Sequence, residues 1–154
     1  MRIHALPCAG LIPQNHFRDT VENKVPISKI KKFLPKKEIK NFPKTSAKQF
    51  STWGLTNNDT HQKGFNAMSN GDLVLFYKDY RFYKFGRVFF KFKSKSLAKK
   101  LWHDEDRIYE NIFLLNDLED IDIEVKYYNK IAGIHGPKMG DKRPLFNYSL
   151  SNEE

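Results

Sequence analysis

Residues 50–93 read FSTWGLTNNDTHQKGFNAMSNGDLVLFYKDYRFYKFGRVFFKFK, and the second half of that stretch decides the fold. Leu73, Val74, Leu75 and Phe76 are apolar in succession, so Asp72–Tyr77 is predicted to be a strand covered on both faces. Phe82–Lys93 is its partner. Phe82, Lys84, Gly86, Val88, Phe90 and Phe92 fall on one face of it, and Tyr83, Phe85, Arg87, Phe89 and Lys91 on the other. Lys78–Arg81 is too short to cross over a sheet, which makes the pair an antiparallel hairpin. Gly86 interrupts the second strand, as at a bulge or the corner of a barrel.

Upstream, Thr52–Asn58 reads as a polar turn carrying Trp53. Asn58 or Asp59 can cap a helix in which His61, Phe65 and Met68 share a face and which Asn70-Gly71 ends. Downstream, Ser94 or Ser96 opens a second helix with a buried stripe of Leu97, Ala98, Leu101 and Trp102. Tyr109–Leu115 is a further strand. Ile121–Lys130 alternates well as a strand, but it also reads as a helix from Ile123, capped by Asp122 and stopped by Gly133. The helix is the reading adopted. Towards the N-terminus, Arg2–Leu6 forms a first strand and Cys8–Asn23 is loop-like. Pro26–Leu34 is a short helix with Pro at its first turn and Pro35 at its end, and Lys36–Gln49 is basic and irregular, a surface loop or a phosphate-contacting arm. Leu145–Leu150 is a last strand, and Ser151–Glu154 resembles the start of a linker after a single domain spanning residues 1–150.

The 154 residues are 40% hydrophobic and 14% aromatic, enough for a folded core. No apolar run approaches the roughly 20 residues of a membrane span. Pro7 and Pro13 interrupt any secretory apolar segment, and Cys8 is the only cysteine, so a cytoplasmic protein without disulfides is expected. The net charge is +9 and unevenly distributed. Lys24–Lys48 holds nine lysines against Glu38, Lys78–Lys100 holds nine Lys or Arg against Asp79, and Asp104–Glu124 holds nine acids against Arg107. A basic and an acidic face are expected, the basic one directed at nucleic-acid phosphates through Lys36, Lys37, Lys40, Lys44, Lys48, Lys78, Arg81 and Lys84.

Catalytic patterns are weak. Glu124-Val-Lys126 matches half of a magnesium nuclease core, which needs a strand and an upstream Asp. The five histidines lack metal-ligand spacing, and Cys8 with His16 has nothing to orient a nucleophile. Gly133–Gly140 is glycine-rich but carries no phosphate-binding motif. A binding module without metal or cofactor is expected. Trp53, flanked by Ser51, Thr52, Gly54 and Thr56, is the best candidate for function. Tyr77, Tyr80 and Tyr83 gather at the hairpin's turn end.

The order of Trp turn, helix, GDLVLFY strand, FGRVFF strand, Leu-Trp helix end and Tyr-x-x-Ile strand resembles the PUA-like superfamily in its EVE and YTH branches. Within that group it resembles the DNA-reading N-terminal domains of McrBC-type modification-dependent restriction systems. The resemblance covers about Phe50–Gly133 and implies an α+β fold, a small twisted barrel flanked by helices. It implies recognition of a methylated base, N6-methyladenine first, flipped from double-stranded DNA into an aromatic pocket. Trp53 would be one wall, and Trp102, Tyr77 and Tyr80 are candidates for the second. Asn15 and His16 would read the base edge, and Thr56 lies beside the pocket. Gly54 stands where YTH proteins carry Ser or Thr, so only a backbone contact survives there. An NTPase motor and nuclease would lie outside these residues. An RNA-binding relative reading modified RNA is the alternative.

Overall fold

The computed structural model describes residues 1–103, 106–131 and 148–149. The 133–140 loop, the Gly133 helix stop and the 151–154 linker lie outside the described residues. In chain order the elements are β1 (Arg2–Pro7), α1 (Leu11–His16), a π-helical turn (Phe17–Glu22), β2 (Val25–Pro26), α2 (Ile27–Lys32) and α3 (Lys36–Ile39). There follow β3 (Gln49–Leu55), α4 (Asp59–Ala67), β4 (Leu73–Lys78), β5 (Arg81–Lys93), α5 (Lys95–Leu101), β6 (Asn111–Glu124), α6 (Val125–Ile131) and β7 (Tyr148–Ser149).

The strands form one mixed sheet in the order β2-β3-β6-β5-β4-β1-β7, an open order among the described residues. Among the described residues, only β1 and β4 run parallel. The predicted hairpin is present, and both turn residues, Asp79 (φ 50°) and Tyr80 (φ 63°), adopt the left-handed backbone of a two-residue type I′ turn without a glycine. The long β5–β6 ribbon shifts register three times, once across Gly86 between Phe85 and Arg87, as the glycine foreshadows. A Cβ on Gly86 would lie 3.0 Å from Leu118 Cδ1. Asn58 and Ser94 cap α4 and α5, accepting from the His61 and Leu97 backbone N–H groups.

β1 is lashed to β4 by a buried pair. His4 Nε2 lies 2.8 Å from Asp72 Oδ2, and Asp72 also accepts from the Arg2 and Ser69 backbone N–H groups. Burial raises the Asp72 pKa, but the hydrogen bonds from His4, Arg2 and Ser69 outweigh it and hold the carboxyl below its ordinary value.

Four expectations are corrected. Residues 49–55 form a buried strand rather than a polar turn. Ser51 and Thr52 are fully buried because Ser51 Oγ donates to the Val21 carbonyl (2.7 Å) and Thr52 Oγ1 to that of Phe50 (3.1 Å). The 8–23 segment is largely helical. Phe17, Thr20 and Val21 face inward, and Thr20 Oγ1 donates to the Thr52 carbonyl at 2.6 Å. The 36–49 segment is no free arm: α3 opens it, and Phe42 pins it against Phe50, Phe89 and Phe90. In 121–130 the strand persists to Glu124, so the helix starts at Val125 instead of Ile123.

Candidate nucleic-acid interface

β3 positions the site. β2 pairs only with Gln49 and Phe50, which leaves the outer edge of β3 without a strand from Ser51 onward. The Lys48 carbonyl accepts from Ile27 N–H on that edge, and the Thr52 carbonyl accepts from Thr20 there. Backbone groups alternate between the two edges of a strand, so the N–H and C=O of Gly54 face the same open edge.

Side chains alternate between the faces. Trp53 packs with Phe17 (ring centroids 6.2 Å) and Phe76 (5.2 Å) on one face. Gly54 turns to the other, where Trp102 covers it. A Cβ on residue 54 would meet Trp102 Cζ3 at 2.6 Å, the Tyr109 carbonyl at 2.7 Å and Trp102 Cη2 at 2.8 Å. The glycine is a steric requirement of the indole laid over the strand.

Both indoles line one cleft of about 610 Å³. Ala5, Leu6 and Pro7 of β1 supply its floor, and Pro13 and His16 of α1 contribute with Tyr77 and Leu55 to its walls. Thr60, His61, Arg107 and Tyr109 complete the lining. His16, Trp102 and Tyr109 form a ring cluster, with His16 4.9 Å from Tyr109 and 5.7 Å from Trp102 between centroids. Trp102 Nε1 is a buried donor with no hydrogen-bond partner among the described residues. Such an orphan costs about 1–3 kcal/mol. The cleft thus combines edges of two indoles, a strand edge that no strand covers among the described residues, and an unspent donor.

Of the pocket residues expected from sequence, Trp53, Gly54, Tyr77, Trp102 and His16 meet in this cleft. Thr56 stands behind its wall, 2.8 Å from His61 Nδ1. Asn15 is half-buried on α1 and does not line the cleft, and Tyr80 is exposed at the hairpin tip. Trp53 is only 6% exposed, so it is a core residue with one edge in the cleft and not a free-standing wall. Sequence reasoning missed His61, Arg107 and Tyr109 as lining residues. Only His61, whose backbone N–H the Asn58 cap accepts on the first turn of α4, carried a local signal.

The charge pattern is also corrected. β5 and β6 are paired, so basic and acidic residues interleave where separate faces were expected. Arg81 Nε lies 2.6 Å from Asp122 and Nη1 3.3 Å from Glu124, and Lys84 is paired with Asp120. Lys78 lies over the Tyr83 ring. Lys36, Lys37, Lys40, Lys44 and Lys48 are exposed and form no ion pair among the described residues. Glu124 and Lys126 fall on different elements, a strand end and a helix, which breaks the nuclease pattern. Cys8 is buried against the Pro13 carbonyl and Gln14, and burial pushes its thiol pKa up, away from a thiolate nucleophile. No helix among the described residues is long and apolar enough to cross a membrane.

No protein-family model and no curated protein sequence matches the chain. Among solved structures it is similar to the N-terminal domain of Thermococcus gammatolerans McrB bound to m5C DNA, at 13% identity and a TM-score of 0.66, over 97% of this chain and 91% of that one. The chain shares its fold with that McrB N-terminal domain, and its class is the α+β class expected from sequence, with an open strand order among the described residues where a barrel was expected.

Proposed function

We propose that this protein is a reader of methylated DNA that takes the modified base, flipped from the duplex, into the cleft between Trp53 and Trp102. The observation that carries this reading is the convergence of two indoles and the Gly54 backbone in one cleft. The shared fold with a domain bound to m5C DNA supports it.

Flipping costs a few kcal/mol, and stacking on an aromatic wall returns about 1–3 kcal/mol per base. Lysines on the 36–48 segment, which runs directly into β3, supply phosphate contacts for the rest. A buried methyl adds only about 0.8 kcal/mol, so discrimination comes from a slot that an unmodified base leaves partly empty. N6-methyladenine is the first candidate, because the YTH resemblance puts one cage wall at Trp53, with Trp102 and Tyr77 as candidates in the same cleft for the second. 5-Methylcytosine is the second, because the DNA of the structural neighbour carries it. The chain acts as a binding module, and any NTPase motor or nuclease lies on other segments or partners.

The test is a binding panel of matched duplexes carrying N6-methyladenine, 5-methylcytosine or no modification, with RNA counterparts. Preference for one methylated DNA is expected. Equal binding to every member refutes the reading.

A further inference from the structure

His61 lines the cleft beside Thr60 and Arg107, and its hydrogen bonds fix which ring nitrogen carries the proton. Asn58 Oδ1 accepts from the His61 backbone N–H at 2.8 Å. A backbone N–H only donates, so the other amide atom of Asn58 is the NH2 group. That group lies 3.3 Å from His61 Nδ1 and can only donate to it. The Thr56 hydroxyl, 2.8 Å from the same nitrogen, can donate or accept and so follows the tautomer that Asn58 sets. Nδ1 is therefore an acceptor, and the proton of the neutral ring is on Nε2. Burial, and then the charge of Arg107, lower the His61 pKa and keep the ring neutral. Nε2 makes no hydrogen bond among the described residues.

We propose that His61 Nε2–H donates to an unprotonated ring nitrogen of the base in the cleft, with Asn58 as the positioning residue that sets the tautomer and Thr56 bonded to the same ring nitrogen. This rests on the base-pocket reading above. Adenine N1 and cytosine N3 are acceptors next to an exocyclic amine, whereas guanine N1 and thymine N3 carry hydrogens and would oppose the His61 N–H. His61 thus selects amino-bases, and the apolar walls sense the methyl group. Thymine and 5-methylcytosine carry the same ring methyl and differ only at N3 and its neighbouring 4-substituent, so the change in preference on replacing His61 reports its contact with that edge.

Both bases are placed opposite an abasic site in otherwise identical duplexes, so that no pairing is broken, and binding is followed by fluorescence anisotropy. One hydrogen bond is a factor of about 2–12 in affinity. Wild-type protein is expected to prefer 5-methylcytosine to thymine, His61→Phe to lose most of that preference, and His61→Gln, which keeps a donor, to regain part of it. Thr56→Val is expected to weaken the preference less than His61→Phe, since Asn58 still donates to Nδ1. Wild-type protein that binds methylated and unmodified DNA alike overturns the pocket reading and this proposal with it. Wild-type protein that reads methylation while His61→Phe retains the full preference over thymine overturns the role of His61 alone. Nitrogen-15 spectra of histidine in the wild-type protein test the tautomer without any variant, and a proton on Nδ1 refutes the proposal.

Discussion

Gly54→Ala tests the link between fold and site most sharply. The added Cβ would stand 2.6 Å from Trp102 Cζ3 and 2.7 Å from the Tyr109 carbonyl. Ordinary carbon contacts are about 3.5–4.0 Å, so the overlap is close to 1 Å. The indole can swing away, but the Tyr109 carbonyl belongs to the backbone just before β6 and yields only if the chain moves. Overpacking of this kind costs about 1–3 kcal/mol. A domain of this size loses about 2–4 °C of Tm per kcal/mol, so a drop of roughly 2–12 °C is expected by differential scanning calorimetry. Trp102 is displaced from its seat, so preference for methylated DNA should fall even where the variant is fully folded. Non-specific affinity for DNA should hold, because the exposed lysines are untouched. A variant with wild-type Tm and wild-type preference would refute both the packing argument and the place of Trp102 in the site.

Trp53→Ala should destabilise by about 3–5 kcal/mol, since the indole packs on Phe17 and Phe76, whereas Trp53→Phe should fold and lose part of the base preference. Chemical denaturation with binding of both variants separates core from pocket. The Asp72 pKa is lower in the folded than in the unfolded state, so its contribution is fully present above the unfolded carboxyl range and is lost as pH falls below about 4. Asp72→Asn should flatten that acid limb in melts across pH. Replacing Lys36, Lys40 and Lys44 by Gln should reduce the slope of log K against log salt by about 0.9 for each phosphate no longer neutralised, and an unchanged slope would place the DNA elsewhere.

The hairpin, the Gly86 irregularity and the Asn58 and Ser94 caps were legible because each is set by residues within a few positions of one another. β3 was not. Ser51 and Thr52 look like turn residues until partners more than twenty positions away, in the π-helical turn, satisfy their neighbouring hydroxyl and carbonyl groups. The charge pattern misled for a related reason. Acids and bases in separate runs of sequence were brought side by side by β5–β6 pairing, as Arg81 against Glu124 shows. In the candidate cleft, Trp53 and Gly54 were expected from the family resemblance, and Trp102 as one of three candidates with Tyr77 and Tyr80, of which Tyr80 lies at the hairpin tip. Arg107 and Tyr109 come from the connection between α5 and β6 and reach the cleft only through the tertiary fold, so no local pattern marks them.

The pairing of β1 has a kinetic consequence. The His4–Asp72 bond spans 68 residues, and among the described residues two of β7 pair with β1 on its other side. Closing so long a loop is entropically slow compared with forming the adjacent β4–β5 hairpin. Late docking of β1 in folding, and opening ahead of the central strands, are the expected outcomes. β1 carries Ala5, Leu6 and Pro7, the floor of the cleft. Each opening of β1 dismantles the binding site, so a bound base holds the strand down. At a ligand concentration of 100 Kd that protection amounts to about 2.7 kcal/mol. The amide protons of β1 report occupancy of the cleft from beneath it, through hydrogen exchange that slows when DNA binds.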